Sequence, residues 1–308
     1  MPFSNYPNGF ANGVAIRGMP ILNSYGGNLF WVDSGAGSNT NDGTHARPYS
    51  TLDYAVGKCT ANNGDVIMVK AGHTETVTAA GGLDLDVAGI TIIGLGNGSD
   101  RPTVSFTTAT GADMDVDAAN ITISNFLFTG GIDALTGPID VNAADFTMID
   151  CETRDSTGQT VDFIVADANA SRLTIDGWTH RGAAAAGGAS ALQLVGGDGA
   201  MVKNFWIDGN FDTAAIENVT TAATNLTING GANGSYIRNR NSADVCVTAV
   251  ATTTGNVGPN IYARIADNAA NITEAFVGAD MQFFQPIAIV NLDGEVGLNT
   301  NITESTDA

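Results

Sequence analysis

Asn120-Ile-Thr-Ile-Ser-Asn-Phe126, Asp145-Phe-Thr-Met-Ile-Asp150, Ser171-Arg-Leu-Thr-Ile-Asp-Gly177 and Thr224-Asn-Leu-Thr-Ile-Asn-Gly230 are versions of one phrase. Each has an apolar residue, Thr, an apolar residue, and then Asn, Asp or Gly. Aligning Ile123, Met148, Ile175, Val202 and Ile228 gives steps of 25, 27, 27 and 26 residues. A period of that size is the signature of a solenoid, whose repeats bury their apolar faces only by stacking on one another. A second series ends at Val116, Val141, Val165, Val195 and Val219, with steps of 25, 24, 30 and 24. Two interleaved series with one period require at least two strands per coil. The alternation within each phrase turns one face inward and the other outward. At roughly 3.3 Å per strand residue, such a repeat holds two or three short strands and their turns. The pattern predicts an all-β, right-handed, single-stranded parallel β-helix of roughly eight coils.

Composition agrees. The chain has 38 Gly and only 14% charged residues among 308. Helix formers such as Lys and Glu are scarce, which argues against an α-solenoid. The net charge of −20 leaves no basic footprint for nucleic acid or an anionic membrane surface. No stretch reaches the ~20 apolar residues that span a bilayer. Met1-Pro-Phe-Ser-Asn-Tyr6 lacks the basic and apolar regions of a signal peptide, so synthesis in a cytoplasm without export is expected. The Asn-x-Ser/Thr sequons then follow from Asn/Thr-rich strands and turns. Cys59, Cys151 and Cys246 form no metal-binding spacing and read as small hydrophobes.

Three regions are expected: an extended arm over 1–27, the β-helix over 28–255, and a C-terminal cap or assembly segment over 256–308. Within the second, 28–80 closes the first coil, using a short helix over Ser50–Cys59 with Ser50 as its N-cap. The arm carries Phe3, Tyr6, Phe10, Ile16 and Arg17 between prolines and glycines, a composition suited to docking into grooves on the same chain or on a partner. Phe283, Phe284 and Ile287 lie in the most apolar segment of the chain, and Asp293-Gly294 marks a turn between two strands. A small-residue stretch around Ala183–Ala191 lengthens one coil.

Phe30-Trp-Val-Asp33, Asn41-Asp-Gly-Thr44, Pro48-Tyr-Ser-Thr-Leu52 and Gly64-Asp-Val-Ile-Met-Val-Lys-Ala-Gly-His-Thr-Glu75 resemble the opening segment of pectate-lyase-like β-helix proteins. Joined to Asn12-Gly-Val-Ala-Ile-Arg-Gly-Met-Pro-Ile21, the segment is similar to β-helix proteins encoded among tailed-phage structural genes. The resemblance implies a virion protein, either a capsid decoration or a head protrusion. Its partners would be the major capsid protein or another virion protein, it would be a homotrimer, and its location would be the virion assembled in the host cytoplasm. A tailspike-type polysaccharide lyase or hydrolase, or an adhesin for a host-surface glycan, are the alternatives.

For catalysis, Arg154, Arg172, Arg181 and Lys203 are the bases available within the repeat, and none sits in a motif like those of the pectin enzymes. The Gly-His-Gly and Arg-Ile-Lys motifs of galacturonan hydrolases are absent. Asp115, Asp140 and Asp162 are expected to form a column of carboxylates on successive coils, about 4.8 Å apart, within the separation that glycoside hydrolysis uses. Asp113, Asp115 and Asp117 alternate on one strand and are the candidate Ca²⁺ ligands. No other cofactor is indicated. His45, His73 and His180 are isolated in sequence, and His73 reads as a turn anchor. Trp178 and Trp206, 28 residues apart, are the candidate exposed platform for sugars.

Overall fold

A computed structural model describes residues 26–155, 160–184, 187–241, 245–266, 280–284 and several short strands, namely 14–16, 19–21, 276–277, 287–292 and 295–298. Side chains are not described at 14–16, 19–21, 265–266, 276–277, 283, 287–292 and 295–298. The chain is a parallel β-solenoid with three sheets, of ten, ten and eight strands, each built from strands contributed by successive coils. Within a coil the chain passes from the first sheet through a tight turn into the second, and then through a longer loop into the third.

The phrase read from sequence lies on the first sheet. Ile123, Met148, Ile175, Val202 and Ile228 stand in one unbroken register and all are buried. The residue after each phrase makes the corner. Asn125, Asp150 and Asn204 have φ of 60°, 52° and 52°, the left-handed region that Asn and Asp tolerate best among residues with a Cβ. Asn125 also donates from Nδ2 to the carbonyls of Gly94 and Gly96, at 2.8 and 3.0 Å, so it staples its corner to the coil below. At Gly177, φ is 74° and a Cβ would stand 2.2 Å from Asp150 Oδ1. Glycine takes this corner without strain and leaves room for the Asp150 side chain.

The second series slips by one residue. Val116 pairs with Val141, but Val141 pairs with Ala166 and Ala166 with Leu194. The inward residues are therefore Ala166 and Leu194, and Val165 takes an outward place. An inward position on a stacked strand accepts any apolar side chain that fills its layer, including alanine, so a register built on valine alone drifts. The remaining sheet carries the inward column Val104, Phe128, Thr153, His180, Ile207 and Ile237.

The first coil is closed as expected, with a correction at the helix start. The helix is Leu52–Val56, capped by Thr51, whose Oγ1 accepts from Tyr54 N–H. Ser50 is held elsewhere: its N–H and hydroxyl both donate to Asn39 Oδ1, at 3.0 and 2.9 Å. Leu52, Ala55 and Val56 cover the open apolar end. His73 anchors this closure. Its Nδ1 accepts from Ser34 N–H at 3.0 Å, its Nε2 lies 3.2 Å from Glu75 Oε2, and Glu75 Oε2 accepts Leu52 N–H at 2.9 Å.

Asp65 ties the same coil together. It is fully buried and accepts from Asn28 N–H at 2.6 Å, Thr60 N–H at 2.7 Å and Asn63 Nδ2 at 2.7 Å. Burial pushes its carboxyl up, and these donors outweigh burial and hold it below its ordinary value. Asp65→Asn is expected to cost about 1–2 kcal/mol, because an amide must present an N–H to some of the same donors. A thermal melt of the purified variant measures it.

Towards the end of the chain the stacking continues. Gly255–Val257 and Met281–Phe283 extend the first sheet, and Ile261–Ala266 and Ile287–Leu292 extend the second. Ile287–Leu292 then pairs antiparallel with Glu295–Leu298, Leu292 opposite Glu295, as the Asp293-Gly294 pair predicts. Near the start, Val14–Ile16 pairs antiparallel with Met19–Ile21. Cys151 and Cys246 are buried, Cys59 is half-buried and all three are free. Burial pushes the three thiols up to about 12, so they pack as hydrophobes.

Candidate functional site: an aromatic groove on the second sheet

The second sheet carries a column of aromatic rings on its outer face. Thr179 pairs with Trp206, Trp206 with Tyr236 and Tyr236 with Tyr262. Trp206 and Tyr236 stack with ring centroids 5.8 Å apart and planes inclined by 24°. Tyr262 is 45% exposed, one of three large apolar residues so open among the described residues. The column lines a groove of about 720 Å³ whose rim includes Asp150, Asp176, Asn204, Asn233 and Ser235. That volume falls within the ~300–1,000 Å³ typical of small-ligand sites. Flat rings flanked by carboxylate, amide and hydroxyl groups suit a sugar, which has an apolar C–H face and a ring of hydroxyls.

The platform expected from the sequence is half corrected. Trp206 belongs to it, but Trp178 is 1% exposed and lies in the core. Register decides this. Since Thr179 pairs with Trp206, Trp178 matches Phe205 and occupies the inward place just after the corner. Tyr236 and Tyr262 complete the platform and were not read from the sequence. The signal was present, because Trp206, Tyr236 and Tyr262 are 30 and 26 residues apart.

Beneath the platform the core becomes polar. Trp178 Nε1 donates to Thr153 Oγ1 at 2.8 Å, and Thr153 Oγ1 lies 2.8 Å from His180 Nδ1. Burial drives the His180 imidazolium down to about 3, so the ring is neutral. Because Thr153 Oγ1 accepts the indole proton, its own hydroxyl proton is free to be donated to Nδ1, an arrangement that carries the imidazole proton on Nε2. Nε2 faces a crevice of about 10 Å³ lined also by Asp155, Ser190 and Asn210. Burial pushes Asp155 up to about 6, against donation from Thr160 and from Ala183 N–H. The crevice is of water size and admits no sugar, so the cluster is part of the fold's interior.

The carboxylate column stands on the third sheet. It reads Asp84, Asp115, Asp140, Val165, Gln193 and Glu217. Asp162, expected in this column, is instead in register with Ser190. The column's place on that strand is taken by Val165, three residues further on. Ser190 Oγ donates to Asp162 at 2.7 Å, and Gln193 Nε2 bridges Asp162 and Glu217 at 3.2 and 2.8 Å. Burial and the neighbouring Asp113 and Asp140 push Asp115 up to about 6. Burial also raises Asp84, Asp113 and Asp140.

The candidate Ca²⁺ ligands are not brought together. Asp113, Asp115 and Asp117 alternate along one extended strand and span roughly 13 Å from first to last, whereas Ca²⁺ draws its oxygens to ~2.4 Å. Asp113 instead accepts Gly81 N–H at 2.6 Å, and Asp117 accepts Asn142 Nδ2 at 3.1 Å. Among the described residues no three His, Cys, Asp or Glu side chains converge as a metal site.

Of the expected partner-binding residues, Phe284 is 51% exposed and lines a second groove, of about 480 Å³, with Asn256 and Gln282. Ile16 and Ile287 lie on described strands, as does Phe283. Phe3, Tyr6, Phe10 and Arg17 lie outside the described residues.

The chain matches no protein-family model and no curated protein. Among solved structures it is similar to a rhamnogalacturonan lyase, at 13% identity over 86% of this chain and 85% of that one, with a TM-score of 0.38. It is also similar to a GH136 lacto-N-biosidase from Eubacterium ramulus, at 11% identity over 84% and 68%, with a TM-score of 0.43. Likeness of that degree carries nothing about activity.

Proposed function

We propose that this chain is a carbohydrate-binding β-helix that holds a host-surface glycan in the groove of Trp206, Tyr236 and Tyr262, as a component of a phage particle. One observation carries the binding role: three aromatic rings occupy one register on successive coils and open into one groove. A column set by strand register is rigid, so little side-chain freedom is lost when a sugar stacks on it. The phage setting rests on the resemblance of residues 9–80.

Trp206→Ala is expected to weaken binding ~10-fold or more, as removal of a central aromatic anchor does. Calorimetric titration with a polysaccharide selected from an array of bacterial surface glycans measures it. Trp206 lies outside the buried core, so the variant should melt like the wild type. An array on which the wild-type chain binds nothing overturns the reading.

A hydrolase or lyase would draw on the column Asp84, Asp115 and Asp140. None of these residues lines the grooves or the crevice described above. Release of reducing ends from a bound polysaccharide, lost in Asp115→Asn, would replace the binding role with an enzymatic one.

The second reading is capsid decoration, with the chain a homotrimer on the major capsid protein. The observation favouring it is the C-terminal end, where Met281–Phe283 is the last described strand of its sheet and Phe284 stands exposed beside it. An edge strand presents unpaired backbone groups to a partner. Copy number in purified particles separates the readings: hundreds of copies mean decoration and a few mean a tail component. A trimeric mass by light scattering is expected in either case.

A further inference from the structure

Four buried side-chain polar atoms lack a hydrogen-bond partner among the described residues, and two of the four, His180 Nε2 and Asn210 Oδ1, belong to residues lining one crevice. Buried polar groups are nearly always paired, because an unserved donor or acceptor keeps the whole cost of leaving water. Two such atoms at one small space point to a shared partner. The carboxyl and hydroxyl groups beside them are already served. Asp155 accepts from Thr160 Oγ1 and from Ala183 N–H, and Ser190 Oγ donates to Asp162.

Both groups are held in place. Asn210 Nδ2 donates to the Ala184 carbonyl at 3.0 Å, which fixes the amide and leaves Oδ1 unserved. His180 is 1% exposed, with Nδ1 taken by Thr153 and its ring wedged between Phe163 and Phe211, each with its centroid 5.6 Å away. The crevice, about 10 Å³, has room for one water-sized particle. The N–H of the neutral ring turns away a cation. The Asn210 carbonyl oxygen and the Asp155 carboxyl turn away an anion. Water offers a lone pair to the N–H and a hydrogen to the oxygen. With the ring proton on Nδ1 instead, water would donate to both atoms, so either tautomer takes the same guest.

We infer that the crevice is a binding site for one water molecule, which joins His180 Nε2 to Asn210 Oδ1. The water completes a chain across three successive coils of the second sheet, on which Thr153, His180 and Ile207 stand in register. Trp178 donates to Thr153, Thr153 to His180, His180 to the water, the water to Asn210, and Asn210 to Ala184. Every link runs in the same sense, so each polarises and strengthens the next. In this way the coils stay joined where Thr153 and His180 interrupt the apolar column. The site is separate from the aromatic groove and stands whether or not that groove binds a sugar.

A crystal structure and solution NMR of the wild-type chain test it. The expected result is a single density peak within ~3.2 Å of both Nε2 and Oδ1, with cross-relaxation between the His180 ring protons and a slowly exchanging water. Asn210→Leu removes the acceptor at similar volume. In that variant the imidazole N–H is expected to exchange with solvent at least ~10-fold faster, and a thermal melt reports whether it is folded. The wild-type measurements decide the matter if it is not. A crevice closed by protein atoms, density with the coordination of a metal ion, ring protons without a water cross-peak, or unchanged exchange in a folded Asn210→Leu overturns the inference.

Discussion

Trp178→Ala is expected to destabilise the chain by about 3–5 kcal/mol, the range for removing a large aromatic side chain from a packed core. Two costs add. The cavity sits against Phe205 and the polar interior of its neighbouring coils, where stacked strands leave little room to collapse. The indole also donates to Thr153 Oγ1, which in turn holds His180, so its loss leaves a buried acceptor unserved. Trp178→Phe, which keeps most of the volume and loses only the N–H, should cost about 1–2 kcal/mol. Thermal melts give the ordering. Acrylamide quenching gives an independent check: Trp206 should be quenched readily and Trp178 should not. A Trp178→Ala variant as stable as the wild type would return Trp178 to the surface and undo the register argued above.

Asp155→Asn is expected to stabilise the chain above pH 7 and to leave it unchanged near pH 4. Burial pushes the Asp155 carboxyl up to about 6 in the folded chain, against an ordinary value near 3.9 when unfolded. Between these values the folded state binds more protons, so stability falls as pH rises through the interval. The loss is complete above pH 6–7 and is on the order of 2–3 kcal/mol. An amide carries no such cost and still accepts from Ala183 N–H. His180 works in the opposite sense. Its folded value of about 3 lies below the ordinary 6.5, so the unfolded chain takes up the extra proton as pH drops below 6.5, and stability falls towards acid. The wild-type chain therefore carries opposed slopes, and Asp155→Asn should remove one acid contribution of the same sign as that of Asp115, leaving the His180 slope more prominent. Melts of wild type and variant at pH 4, 6 and 8 test this. A stabilisation of equal size at all three values would contradict it.

Both predictions concern residues whose inward or outward place depends on a single-residue count, and that is where the sequence is hardest to read. The first sheet was legible to the residue because its phrase ends in a corner that only Asn, Asp or Gly occupies comfortably. The corner fixes the register each time. The third sheet has no such mark, and Val165, apolar but outward, holds the place in the carboxylate column where Asp162, three residues earlier, is expected. The second sheet was hidden, since Thr153 and His180 interrupt its inward column and mask the alternation. Its outward face was hidden for the same reason, and with it Tyr236 and Tyr262. Counting from the corner, at Asn125, Asp150, Gly177 and Asn204, places the start of each outward face: the first residue after it points inward and the second outward. By that count Trp178 is core and Trp206 is surface.

The central claim is that the groove on the second sheet holds a glycan, and Trp206 is positioned to report it. Titrating the wild-type chain and Trp206→Phe with array-selected polysaccharides, while following tryptophan fluorescence, tests it. A saturable change is expected in the wild-type chain and should disappear in Trp206→Phe. A saturable change of equal size in both, or none with any carbohydrate, would contradict it.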